Sequence, residues 1–159
     1  VSSELASHYR LARHLVDGSG LVRARPGWNE QGHPFYADLF SYRQIFQLGK
    51  PSGHYVVSLP DWYGSVAEVR VNGKSAGHIM AAPWECDVTR LLKRGANEVE
   101  VQVIGTLKNT LGPHHGNPPL GSAWPGVFRT GPENGPPPGA QYHTVGYGLF
   151  APFELNQYP

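Results

Sequence analysis

Residues Val66 to Thr110 read VAEVRVNGKSAGHIMAAPWECDVTRLLKRGANEVEVQVIGTLKNT. Ala67, Val69 and Val71 alternate with Glu68 and Arg70, and Val99, Val101 and Val103 alternate with Glu98, Glu100 and Gln102. A period of two means half-buried antiparallel strands, because successive side chains of a strand point to opposite faces. Between the first pair of strands stands Asn72-Gly73, the dipeptide that supplies the two positive-φ residues of a type I′ hairpin. An Asp87-Val88-Thr89 turn and a Gly95-x-Asn97 reversal then lead into the third strand. Asp87 is placed where its oxygens can satisfy free backbone N–H groups.

Outward from this stretch, Ser41 to Leu48 reads as a strand with Tyr42, Phe46 and Leu48 on one face, after an aromatic-rich loop from Pro26. Tyr55 to Leu59 is another, closed by Pro60 and the loop Asp61-Trp62-Tyr63-Gly64. Gln141 to Tyr147 and Phe150 to Leu155 are expected as closing strands. Residues 3–16 place Leu5, Tyr9, Ala12 and Val16 at helical spacing, which permits a short helix. The expected organisation is a lead-in over residues 1–25 and one β-sandwich domain over 26–159. Gly105 to Ala140 is dense in proline and glycine and lacks periodicity, the mark of a functional loop or ordered excursion.

The ordered pattern V-x-V-N-G-x-x-x-G … D-V-T-x-x-L-x-x-G-x-N-x-V-x-V-x-V is met by Val69, Val71, Asn72, Gly73, Gly77, Asp87, Val88, Thr89, Leu92, Gly95, Asn97 and the valines that follow. Tyr42, Arg43, Phe46 and Leu48 match a Y-R-x-x-F-x-L strand, GTLKNTLGPHH follows the last hairpin strand, and Tyr142, Gly148, Leu149 and Pro152 recur near the end. In these marks the chain resembles the galactose-binding-domain-like jelly roll that accompanies the catalytic domains of glycoside hydrolase family 2 and related large glycosidases. The resemblance covers about residues 26–155. It implies an all-β antiparallel sandwich with jelly-roll topology, a parent glycoside hydrolase whose catalytic barrel is a separate domain, and a secreted or periplasmic location.

Bulk composition agrees with a sandwich and removes several function classes. Charged residues are 16% of the chain, below the usual quarter, while 20 glycines and 15 prolines suit short strands joined by turn-rich loops. A net charge of +1 carries no footprint for nucleic acid or an acidic membrane surface. No apolar run is long enough to span a bilayer. At 159 residues the chain has room for one sandwich core and none for an added catalytic barrel. It opens at Val1 without a methionine or signal-like segment, which predicts an excised module or processed product. Its one cysteine, Cys86, is expected as a buried, inert thiol.

Of the chemistry-bearing residues, the acids sit on polar strand faces or in turns, where structural roles are expected of them. Eight histidines show no zinc spacing, and no Gly-x-Ser-x-Gly occurs. The expectation is a chain with no catalytic centre and no metal ligands of its own, although jelly rolls of the resembled type leave room for a structural calcium ion. Aromatic residues are the remaining signal. A sugar site combines aromatic faces, which pack on the apolar C–H faces of the pyranose, with polar groups that read the hydroxyls. Trp28, Trp62, Tyr63 and Trp124 lie in expected loops, near Asp61, Arg129 and the pair His114-His115. These eight form the expected ligand site, whereas Trp84 is expected in the core.

The leading expectation is therefore a non-catalytic carbohydrate-binding module of a glycoside hydrolase. Its partners would be a plant or algal polysaccharide or oligosaccharide and the parent's catalytic domain, with neither nucleic acid nor membrane among them. The alternatives are an architectural sandwich that binds no sugar alone and, third, a small stand-alone carbohydrate-active enzyme.

Overall fold

A computed structural model describes residues 10–11, 27–111, 138 and 142–159. It is built almost entirely of antiparallel strands: β1 (Arg10–Leu11), β2 (Leu39–Leu48), β3 (His54–Ser58), β4 (Trp62–Tyr63), β5 (Val66–Val71), β6 (Lys74–Ile79), β7 (Glu85–Asp87), β8 (Gly95–Ile104), β9 (Gly148–Leu149) and β10 (Glu154–Tyr158). A 3-10 turn spans Thr89–Leu91, and one helical turn, α1, spans Lys108–Leu111. Five strands form a sheet in the order β1-β2-β8-β5-β6, three form a second in the order β10-β3-β7, and β4 pairs with β9. The chain passes repeatedly between the two larger sheets, as a jelly roll requires.

The alternation of the sequence decides which face is buried. Across the larger sheet, Phe40 stands opposite Val103, Tyr42 opposite Val101, Val69 opposite Val101 and Val71 opposite Val99. All are buried in one cluster with Val57, Leu59, Val88, Phe153 and Leu155 from the other side of the sandwich. Each such side chain adds roughly 1.5–3 kcal/mol over its exposed state. The opposite face carries the ion pairs Arg43–Glu100, at 3.1 Å, and Arg70–Glu68, at 3.0 Å. The expected hairpin forms, with φ of 51° at Asn72 and 79° at Gly73.

Asn97 explains why the two ends of the diagnostic motif occur together. It is fully buried, accepts the Lys93 N–H at 2.9 Å, donates to the Lys93 and Gly95 carbonyls, and accepts from the Asn72 side chain at 3.0 Å. One amide thereby closes the reversal before β8 and fastens it to the β5–β6 turn.

Three expectations need correction. Residues 10 and 11, expected within a helix, pair as a strand with the edge of β2; the remainder of residues 3–16 lies outside the described residues. A β-ladder satisfies backbone groups that a lone short helix, marginal in water, leaves to itself. Residues 142–147 form no strand. Instead Asn109 acts as a one-residue strand partner, accepting the Val145 N–H and donating to the Val145 carbonyl, both at 2.8 Å. The second closing strand begins at Glu154 rather than Phe150, beyond Pro152, which has no N–H to give a ladder.

Candidate functional site

The residues expected to form a sugar site divide into four groups. His114, His115, Trp124 and Arg129 lie outside the described residues. Trp28 is in the core, 2% exposed, with its Nε1–H donated to the Tyr42 hydroxyl at 2.7 Å and its ring against Phe40 at 4.2 Å. It has no free face for a ligand, so its place in the expected site is corrected to a structural one. The reason is close packing: Gly148, at φ 119°, passes so near that a Cβ there would run into both Trp28 Nε1 and the Tyr42 hydroxyl.

Trp62 and Tyr63 are consecutive in β4, so their side chains leave on opposite sides. Tyr63 stacks on Tyr147, the rings 5.5 Å apart and nearly parallel. Burial pushes the Tyr147 hydroxyl pKa up, and that hydroxyl is hydrogen-bonded to Thr106. Trp62 turns the other way, to Trp84. The structure thus separates Tyr63 from Trp62.

Trp84 reverses its expectation. It is 43% exposed, and its ring meets Trp62 edge to face at 5.5 Å and 81°. Three backbone features make this corner. The β3–β7 ladder places Ser58 opposite Glu85, and the Leu59 N–H extends it by one bond to the Trp84 carbonyl at 2.9 Å. Pro60 ends β3, and the chain turns through Asp61, whose carbonyl accepts the Phe150 and Ala151 N–H groups. Trp62 then pairs with Leu149. Two aromatic residues 22 positions apart are consequently held by backbone bonds on both sides. Met80, 70% exposed, stands in the same β6–β7 connection as Trp84.

Asp87 and Glu100 occupy structural places. Asp87 accepts the Thr89 N–H at 2.9 Å, and hydrogen bonding to Thr89 is the main reason its pKa lies below the usual carboxylate range. His54 approaches Thr89 and Asp87, but both contacts fall on the same nitrogen, Nδ1, at 3.2 and 3.8 Å. A nucleophile–base–acid relay needs the two partners on different ring nitrogens, so this trio closes a turn. Glu100 is desolvated, which opposes its ionisation, yet hydrogen bonds from Gln102 and Ser41 and the Arg43 charge prevail and hold its pKa low. Cys86 is buried, and burial raises its thiol pKa, away from reactivity. Among the described residues no three His, Cys, Asp or Glu side chains gather as a metal site.

No protein-family model matches the chain. A putative β-glucuronidase from Formosa agariphila is 36% identical over 84 residues, covering 51% of this chain and 7% of the relative. A rhamnosidase from Novosphingobium sp. PP1Y superposes with a TM-score of 0.60 at 19% identity, over 98% of this chain and 15% of that one. An FMN-binding β-glucuronidase from Facaelibacterium prausnitzii L2-6 gives 0.51 at 18% identity, over 92% and 20% respectively. The chain is thus similar to a β-sandwich portion of glycoside hydrolases, and spans only a small part of each of these relatives.

Proposed function

We propose that this chain is the non-catalytic, carbohydrate-binding β-sandwich of a larger secreted or periplasmic glycoside hydrolase, and that Trp62 and Trp84 form its sugar contact. One observation carries this reading: two tryptophans, held by backbone hydrogen bonds on both sides, leave Trp84 nearly half exposed where the core does not need it. Exposed tryptophan with a rigid mount is what stacking on a sugar face requires, since little side-chain entropy is then lost on binding. Affinity electrophoresis of the whole chain across a broad panel of plant and algal polysaccharides tests it. Trp84→Ala and Trp62→Ala should each lower affinity by about 1–3 kcal/mol, the usual loss for a stacking aromatic. If no glycan retards the protein, the reading is wrong.

The architectural alternative is favoured by Met80, Leu107 and Leu111, all more than 60% exposed. Large apolar side chains left in water suit a surface that meets another domain of the same enzyme. Under that reading the chain binds no sugar, and mixing it with the separately produced catalytic domain gives a stable complex.

A further inference from the structure

We propose that the right angle between Trp62 and Trp84 receives a single, neutral glycan chain in solution, and rejects both flat crystalline polysaccharide surfaces and polyanionic chains. The proposal rests on the carbohydrate-binding reading above and adds the ligand class.

Shape is the first argument. A crystalline polysaccharide presents a plane of sugar faces, and gripping it takes aromatic rings that lie in one plane. Trp62 and Trp84 stand 81° apart, so the two rings cannot both lie flat on such a surface, and only one of them could grip it. A chain in solution differs, because each pyranose offers an apolar face and, at right angles to it, an edge of C–H and hydroxyl groups. Both can be met at once by two perpendicular rings.

Charge is the second argument, and it is independent of the first. Glu85 follows Trp84. Glu85 lies opposite Ser58, and Ser58 lies opposite Glu154 on the other side, so Glu85 and Glu154 share one row across the three-stranded sheet. That row is at the tryptophan end of the sheet. Lys50, ahead of β3, and Arg90, beyond β7, are at the opposite end, and residues 51–69, 75–89 and 142–159 hold no Lys or Arg. A uronate or sulfate group entering the corner therefore approaches the carboxylates of the Glu85–Glu154 row. At about 8 Å in water these two together disfavour it by about fivefold at low salt, and the penalty shrinks within a Debye length as salt rises.

The test uses the whole chain with three kinds of probe: soluble neutral polysaccharides (β-glucan, galactomannan, arabinogalactan), soluble polyanions (polygalacturonate, alginate), and the insoluble solids microcrystalline cellulose and chitin. The expected result is retardation by at least one neutral polysaccharide, lost about tenfold or more in Trp84→Ala, with no depletion onto either solid. Polyanions should bind at least about fivefold more weakly at low salt, and the double variant Glu85→Gln, Glu154→Gln should narrow that gap without altering neutral binding. Trp84-dependent binding that favours a polyanion or a crystalline solid overturns this inference and leaves the carbohydrate-binding reading standing. Silence toward every probe overturns both.

Discussion

Asn97 touches four polar groups with one amide, and no water reaches it. Asn97→Ala takes from the Lys93 N–H and the Gly95 carbonyl their partner in a partly buried place, a loss of about 1–2 kcal/mol. Urea unfolding should show a lower midpoint with an unchanged slope. The motif that contains Asn97 was readable because its partners are within four residues or at the β5–β6 turn, which Asn72-Gly73 marks in the sequence. The tryptophans were not readable in that way. Trp84 has the same parity as buried Cys86, so alternation alone points it inward; the ladder begins only at Glu85, and the bend before it turns the ring out. Trp28 seemed loop-borne until Tyr42 and Gly148, far along the chain, closed over it. A signal for Trp62 and Tyr63 was present, since neighbours in an extended segment diverge. Trp28→Ala should therefore cost roughly 3–5 kcal/mol through its cavity, while Trp84→Ala leaves the melting temperature nearly unchanged. Glu100, at 10% side-chain exposure, adds a pH term. Its folded pKa is depressed, so its contribution is present above the ordinary glutamate value of about 4.3 and is lost as pH falls through the lower folded value. Glu100→Gln should remove that part of the acid sensitivity in pH-dependent thermal unfolding.

At the scale of elements, β8 lies between β2 and β5 and, among the described residues, is the strand paired over six residues or more on both sides. Its amides around Val99, Val101 and Val103 should exchange with deuterium most slowly, near the rate set by global unfolding, and the two-residue β4–β9 ladder much faster. The alternation that betrayed β5 and β8 is a local property of the chain. The segment 142–147 had no such property to show: at Val145 its backbone is satisfied by the Asn109 side chain, a contact that depends on where α1 follows β8. Asn109→Ala removes both bonds, and the Val145 amide should then lose protection even if the rest of the sandwich keeps its own. An unchanged Val145 exchange rate would show that packing, not the amide, holds this segment.

For the molecule as a whole, the question is where the folding unit begins. The core is one cluster that draws on both larger sheets, and Trp28 enters it with its backbone as well as its ring, donating its N–H to the Tyr147 carbonyl at 3.0 Å. Upstream, among the described residues, only the two-residue β1 pairs with the sheet. We propose a domain boundary at residues 25–26, because among the described residues a cut there removes one short edge pairing, and a cut three residues later removes the buried Trp28. Edge pairings of two residues add little, whereas the lost tryptophan leaves a cavity and takes from the Tyr42 hydroxyl one of its two hydrogen bonds, the other being from the Leu149 N–H. A chain starting at Pro26 should unfold in one cooperative transition, within about 1 kcal/mol of the full chain, and match the full chain in affinity electrophoresis. A chain starting at Asn29 should lack that transition altogether. If the Pro26 form fails to fold, residues 1–25 belong to the core, and the sandwich extends further toward the start of the chain than its alternating strands indicate.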